Sequence, residues 1–282
     1  MKGIALRSKV NCDSEYSSLK KVLVVKPSFM RITKVINETQ KHYMEDNINI
    51  PLALEQHGEF VRMLRSHGIQ VLQLPEKRDL HEQVFTRDIG FTIHDRLFVS
   101  SMSEQVRRSE TEVLKTWLEE SFIPYEEVSD SIEGGDVVID GSTIWVGNSG
   151  RTSKQAIKNL QHQLPSCDVV PLALKEDILH LDCVFNILDK DTALVYPPAF
   201  TQQGLRKIKS NFEIVPVTKK EQFYMGPNVL SIGQRKVISL RQNKRLNKLL
   251  EEKGFHIIPV DFSEIIKSGG SFRCCSLPLV RE

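Results

Sequence analysis

Short apolar runs come in pairs along this chain, each pair broken by a small polar turn. Residues 89–93 and 96–100 flank His94-Asp95, and residues 137–139 and 143–146 flank Asp140-Gly141. Residues 183–188 and 192–196 repeat the pattern, as do 229–232 and 236–240. Such pairs predict β-hairpins, and Asp-Gly is a strong signal because its turn residues need positive φ. Apolar residues at helical spacing follow the hairpins, for example over 110–118, 153–164 and 244–250. Further strands close the units at 69–72, 169–172, 212–215 and 255–260. Each unit therefore reads strand, strand, helix, strand. A fifth unit is split between the termini, with 275–280 ending the chain and 19–25 beginning it. The predicted fold class is α/β: a five-bladed ββαβ propeller with pseudo-five-fold symmetry, closed by its terminal strands. No low-complexity linker divides residues 1–282, so one catalytic domain is expected.

The chemistry keeps the same period. Phe85-Thr86-Arg87-Asp88, Glu133-Gly134-Gly135-Asp136, His180-Leu181-Asp182 and Gly269-Gly270-Ser271-Phe272-Arg273-Cys274 each precede a hairpin or the final strand. Asp88, Glu133, His180 and Cys274 are spaced by 45, 47 and 94 residues, and Asn228 fills the skipped step. Matching points of a five-fold repeat ring the central axis, so these groups are expected to converge on one active site.

Composition narrows the alternatives. With 40% hydrophobic and 26% charged residues the chain reads as an ordinary globular protein. A net charge of +2 gives no argument for nucleic acid or membrane as a partner. The start, Met1-Lys2-Gly3-Ile4-Ala5-Leu6-Arg7, lacks the apolar segment of a signal peptide, and no run is long enough to span a bilayer. Five scattered cysteines, at 12, 167, 183, 274 and 275, suit a reducing cytoplasm better than a disulfide framework. A homodimer through an outer sheet edge is compatible with this layout.

Residue types suggest the roles. Cys274, after a glycine pair, is the candidate nucleophile, and Cys275 would face the opposite side of its strand. His180 could take the thiol proton or pair with the thiolate, and later protonate a leaving group. Asp182, two residues on, could orient that imidazole or hold substrate. Asp88 and Glu133 bring two carboxylates to the same axis, which implies a cationic ligand. Zinc is the competing ligand for such groups, but no Cys-x-x-Cys or His-Glu-x-x-His element is present; no metal or cofactor is expected. Arg107 and Arg151 lie at matching places after the first and second hairpins and suit a carboxylate clamp. A ligand with a cationic head and an anionic tail is an amino acid of the arginine kind.

With these motifs in this order, the chain resembles the guanidino-group-modifying (pentein) superfamily: arginine deiminases, dimethylarginine dimethylaminohydrolases and amidinotransferases. The resemblance runs over nearly the whole length. It implies Cys274 as nucleophile and His180 as general acid/base, with Glu133 and Asp88 on the guanidinium and Arg107 and Arg151 on the substrate carboxylate. Compact size and Gly150-Arg151-Thr152 look more like the bacterial dimethylaminohydrolases. Asp182, where those enzymes commonly have lysine, and Arg87, where they have an acid, look less so. The expected reaction is hydrolysis of a guanidino C–N bond through a covalent cysteine thiouronium, with a small guanidino amino acid as the partner. Arginine deiminase and amidinotransferase are the alternatives, and a non-enzymatic binding propeller a remote third.

Overall fold

The computed structural model describes residues 10–282; the opening segment read above for a leader lies outside the described residues. Strand β1 (Leu19–Val24) is followed by helices α1 (Glu38–Tyr43) and α2 (Ile50–Ser66) and by β2 (Gln70–Gln73). Hairpin β3 (Gly90–Ile93) and β4 (Arg96–Val99) leads to α3 (Arg108–Glu120) and β5 (Glu126–Glu127). Hairpin β6 (Val137–Asp140) and β7 (Thr143–Asn148) leads to α4 (Lys154–Gln163) and β8 (Asp168–Ala173). The next set is β9 (Phe185–Ile187), β10 (Thr192–Val195), α5 (Gln202–Asn211) and β11 (Glu213–Pro216). A short helix α6 (Lys219–Phe223) precedes β12 (Leu230–Gly233), β13 (Lys236–Leu240), α7 (Lys244–Glu252) and β14 (His256–Val260), and β15 (Leu277–Arg281) ends the chain.

These strands form five three-stranded sheets. In each, the central strand pairs antiparallel with its hairpin partner and parallel with the strand that returns after the helix. The sheet at the termini obeys the same rule, because β1 pairs antiparallel with β15 and parallel with β2. Local chemistry explains most helix starts. Asn49, Ser153 and Thr201 accept the backbone N–H of Leu52, Ala156 and Gly204, and Thr218 with Glu221 forms a capping box on α6. One face of α2 buries Ala53, Phe60, Val61 and Leu64, where Phe60 meets the stacked Phe262 and Phe272.

Two details differ from the sequence reading. The hairpin over β6 and β7 turns at Gly141-Ser142, since Asp140 still pairs with Thr143. Gly141 alone has positive φ there, at 60°, in the position a type II′ turn reserves for glycine. The strand β5 was missed because two adjacent glutamates carry no apolar alternation. Its register comes wholly from pairing with Phe98 and Val99.

The segments leading into the five sheets are tied in a closed cycle. Arg87 N donates to Cys274 O at 2.9 Å, and Gly134 N to Asp88 O at 3.2 Å. Leu181 N donates to Asp136 Oδ1 at 2.9 Å, and Asn228 Nδ2 to Asp182 O at 3.3 Å. Arg273 N donates to Asn228 O at 3.3 Å and completes the circuit. Glycine is required at one point on it, because a Cβ on Gly134 would stand inside the van der Waals radii of the Arg87 and Gly90 carbonyl oxygens. Gly134→Ala is expected to cost about 3 kcal/mol or more of stability. Gly150→Ala, with open space around it, should stay within about 0.5 kcal/mol. Urea melts of the two variants check this, and similar midpoints would contradict it.

Candidate active site

The cycle brings the lead-in side chains to one buried place. Glu133 immediately precedes the 3-10 turn Gly134–Asp136, and His180 precedes the equivalent turn Leu181–Cys183. A small cavity is lined by Asp88, Arg107, Arg151, His180 and Cys274, together with Glu82, Phe85, Leu179 and Ser268. Its volume is about 10 Å³, room for roughly one water molecule. Glu133 and Asp182 stand behind this lining: Glu133 supports His180, and Asp182 supports Cys274.

Hydrogen bonds assign each group a place. His180 Nε2 is 2.8 Å from Glu133 Oε2, while His180 Nδ1 has no hydrogen-bond partner and lies 3.6 Å from Asp88 Oδ1. The other oxygen of Asp88 takes Arg107 Nη1 at 2.5 Å, which leaves Oδ1 open. Arg107 also donates to both oxygens of Glu110 and to the Phe85 and Glu82 carbonyls. Its fork is therefore filled by Asp88 and Glu110, not left free for a substrate carboxylate as the clamp reading had it. Arg151 differs: Nη2 donates to Ile36 O at 2.7 Å, whereas buried Nη1 has no hydrogen bond and lies 3.7 Å from Glu133 Oε1. Asp182 does not orient the imidazole, a place Glu133 takes. It accepts Arg273 Nη1 at 2.6 Å and the Cys274 and Cys183 thiols at 3.5 Å each.

A vestibule of about 370 Å³ shares Ile36, Asn37, Arg151 and Leu179 with the inner cavity and adds Glu38, Glu104, Glu176 and Asp177. Four carboxylates at the mouth favour an approaching cation. A much larger concavity, about 1130 Å³, is lined by none of these catalytic candidates, so size does not mark the site. Among the described residues two triads offer atoms that could bind a metal ion, Asp88-Glu133-His180 and Asp182-Cys183-Cys274, each with its ligand atoms within 4.8 Å of one another.

Comparison with known proteins shows the family of the chain. Residues 26–281 match the family described as N,N dimethylarginine dimethylhydrolase, eukaryotic. The chain belongs to that family. It is 48% identical to YkgA of Bacillus subtilis over 97% of this chain and 96% of that protein. It is 26% identical to the N(G),N(G)-dimethylarginine dimethylaminohydrolase of Mycobacterium tuberculosis, covering 90% of this chain and 83% of that one. It is also 26% identical to an arginine deiminase of Listeria welshimeri, covering 89% and 78%. Among solved structures, the N-terminal domain of ArgZ, a cyanobacterial arginine dihydrolase, has a TM-score of 0.85 at 24% identity over 93% of this chain and 98% of that one. At that identity the likeness speaks for the fold alone.

In this dimethylarginine dimethylhydrolase relative, electrostatics set the proton inventory. Burial pulls the His180 pKa down, but Asp88, the Glu133 hydrogen bond and Asp136 outweigh it and hold His180 at about 10. A contact from the Cys183 thiol, burial and Asp182 all push the Cys274 thiol up. Both shifts favour a thiol beside an imidazolium at neutral pH. Arg87, the other departure from the dimethylaminohydrolase pattern, lies outside the cavity and faces Glu15 at 3.7 Å. Two groups escaped the sequence reading. Glu82 lines the cavity, bonded to Gln40 and Ser268 and raised by burial to about 7. It falls at no repeat-matched position, so the period gave no signal. The thiol partner Cys183 is one of the scattered cysteines to which the sequence reading gives no role.

The raised value has a sign. Protonated His180 stabilises the fold fully below the ordinary 6.5, and that contribution is lost as pH rises through about 10. Glu133→Gln removes one of the charges responsible, so the His180 midpoint should fall by at least about one unit. NMR titration of the imidazole measures it; an unmoved midpoint would contradict the assignment.

Proposed function

We propose that this protein hydrolyses a guanidino C–N bond of an arginine-type amino acid, with Cys274 as nucleophile and His180 as acid and base. The observation that carries this reading is the shared cavity: the Cys274 thiol, an imidazolium with its Nδ1–H unpartnered, and an Asp88 oxygen left open for a cation. The five sheets are read as blades of a propeller around that cavity, in a single catalytic domain.

The guanidinium places an N–H on Asp88 Oδ1 and its charge beside the buried sulfur. That charge offsets Asp182 and lowers the cost of ionising the thiol, whose proton leaves to water. The thiolate adds to the guanidinium carbon, and a new S–C bond forms. His180 Nδ1–H protonates the departing nitrogen as its C–N bond breaks, which leaves a thiouronium on Cys274. The now neutral imidazole takes a proton from water, whose oxygen attacks the same carbon. Collapse breaks the S–C bond, returns the electron pair to sulfur and releases a ureido product. Glu133 keeps the imidazole aimed throughout, and Arg107 fixes Asp88. Arg151 Nη1 is the donor available to the substrate carboxylate, and Glu82 is a carboxylate within reach of the same cavity.

Dimethylarginine is the substrate that membership of the family favours. Arginine is the second reading, favoured by Asp182 after His180-Leu181, where the dimethylaminohydrolases commonly have lysine, and by the likeness to an arginine deiminase. Metal-free protein incubated with each compound separates them. Dimethylamine from the methylated substrate supports the first, ammonia from arginine alone the second, and citrulline marks both. Cys274→Ser should lower turnover at least about a thousandfold with its circular dichroism unchanged. Appreciable residual hydrolysis would end the nucleophile assignment.

Arg151→Ala should raise KM for the substrate at least about tenfold and lower kcat less, because it removes ground-state and transition-state binding alike. A variant that loses kcat with KM intact would place Arg151 at the chemistry instead. Steady-state kinetics on a folded variant decide between the two.

A further inference from the structure

Asn228 stands at the one lead-in position where the chain carries an amide in place of an acid, a histidine or a cysteine. Its side chain is fully buried and uses every bonding direction it has. Oδ1 accepts the backbone N–H of Ser271 and of Cys274, both at 3.0 Å. Nδ2 donates to the Asp182 carbonyl at 3.3 Å and to Cys274 Sγ at 3.1 Å. The two backbone donors decide which end of the amide is oxygen, because a flipped amide would face N–H with N–H twice. An uncharged donor is thus aimed at the sulfur from a position the surrounding bonds hold rigid.

Two other neighbours of the sulfur, the Cys183 thiol and Asp182, act in the opposite sense. Asp182 Oδ2, 3.5 Å away, accepts the S–H and favours the neutral thiol. An N–H···S bond is weak when the sulfur is a thiol and roughly twice as strong when it is an anion. The amide therefore favours the form that attacks. An aspartate in its place would add another carboxylate to the sulfur.

We propose that Asn228 is a catalytic residue whose side-chain N–H holds the Cys274 sulfur as a thiolate, before attack and again as the sulfur is expelled. When the S–C bond forms, the sulfur lone pair is committed and the N–H···S bond weakens. When the S–C bond breaks, the pair returns to sulfur and the bond to Nδ2 re-forms. The same side chain fixes the direction of approach, since it grips the Cys274 backbone N–H as well.

This role rests on Cys274 being the nucleophile, so the first readout does not depend on turnover. It is the rate of Cys274 alkylation by iodoacetamide from neutral to alkaline pH, with the modified residue identified by mass spectrometry. Asn228→Asp keeps an oxygen for the two backbone amides and removes the donor to sulfur. Its alkylation midpoint should rise by about one pH unit or more, with the neutral-pH rate down about tenfold. Its kcat should fall at least about tenfold with KM within about threefold. A folded Asn228→Asp with the wild-type alkylation profile would overturn the proposal. Wild-type protein labelled with ¹⁵N-asparagine gives a measurement that needs no variant to fold. The Asn228 side-chain amide signal should move as Cys274 titrates, and a signal that stays still is also fatal to the idea. Turnover retained by Cys274→Ser would remove the hydrolase reading and this role with it. An unchanged alkylation profile beside an inactive Cys274→Ser would remove the Asn228 role alone.

Discussion

Charge is buried where the five lead-in segments meet, and the centre of the molecule is arranged around keeping it paired. Asp88, Glu110, Glu133, Asp136 and Asp182 are all buried there. A buried charge that loses its partner costs several kcal/mol, so each sits against a cation or a set of donors. Arg107 bridges Asp88 and Glu110, Arg273 bridges Asp182 and Glu15, and His180 binds Glu133. Asp136 is satisfied by Ser149 and by the Leu181 backbone. Toward the cavity the pairing is incomplete. Asp88 Oδ1, His180 Nδ1 and Arg151 Nη1, on three residues that line the cavity, lack hydrogen-bond partners. An acceptor, a proton donor and a fork donor left open together are what the proposed ligand, carrying both charges, would meet.

Placement of those groups depends on a repeat that bonds its own members. Each lead-in segment satisfies part of its backbone by bonding to a neighbouring segment and not to water, and the circuit closes through Cys274, Asp88, Gly134, Asp136, Leu181, Asp182, Asn228 and Arg273. Two of its links use side chains, Asp136 and Asn228. Residues at the matching points therefore carry structural work beside any chemical one. That is why a glycine is forced at position 134, and why polar side chains survive in so buried a place.

The large pattern was legible because it is periodic. Alternating apolar runs gave the hairpins, and the shared interval gave Asp88, Glu133, His180, Asn228 and Cys274 one destination. What the period could not give is which partner each side chain would choose. Arg107 and Arg151 hold matching positions after their hairpins, yet Glu110 lies three residues beyond Arg107 on α3 and claims its guanidinium. No acid stands at the same offset from Arg151, where residue 154 is lysine. Asp182 shares a motif with His180, but the turn Leu181–Cys183 bends the chain between them and sends its carboxylate to Arg273 and the thiols. Glu82 entered the cavity without any periodic signal, because its loop, not a strand end, brings it there.

The proton arrangement gives the proposed chemistry a direction. A thiol and an imidazolium at rest form an idle pair: the sulfur is a poor nucleophile, and the histidine has no vacancy for its proton. The carboxylates produce both conditions at once, since negative charge raises both groups; burial adds to this at the thiol and works against it at the histidine. The missing element is a positive charge beside the sulfur, which a guanidinium supplies on arrival. An uncharged ureido product cannot supply it in the same way, so the site would activate for substrate and relax after turnover. In the proposed reaction Asp88, one of the carboxylates that raise the thiol, is also the one that would receive the cation able to release it.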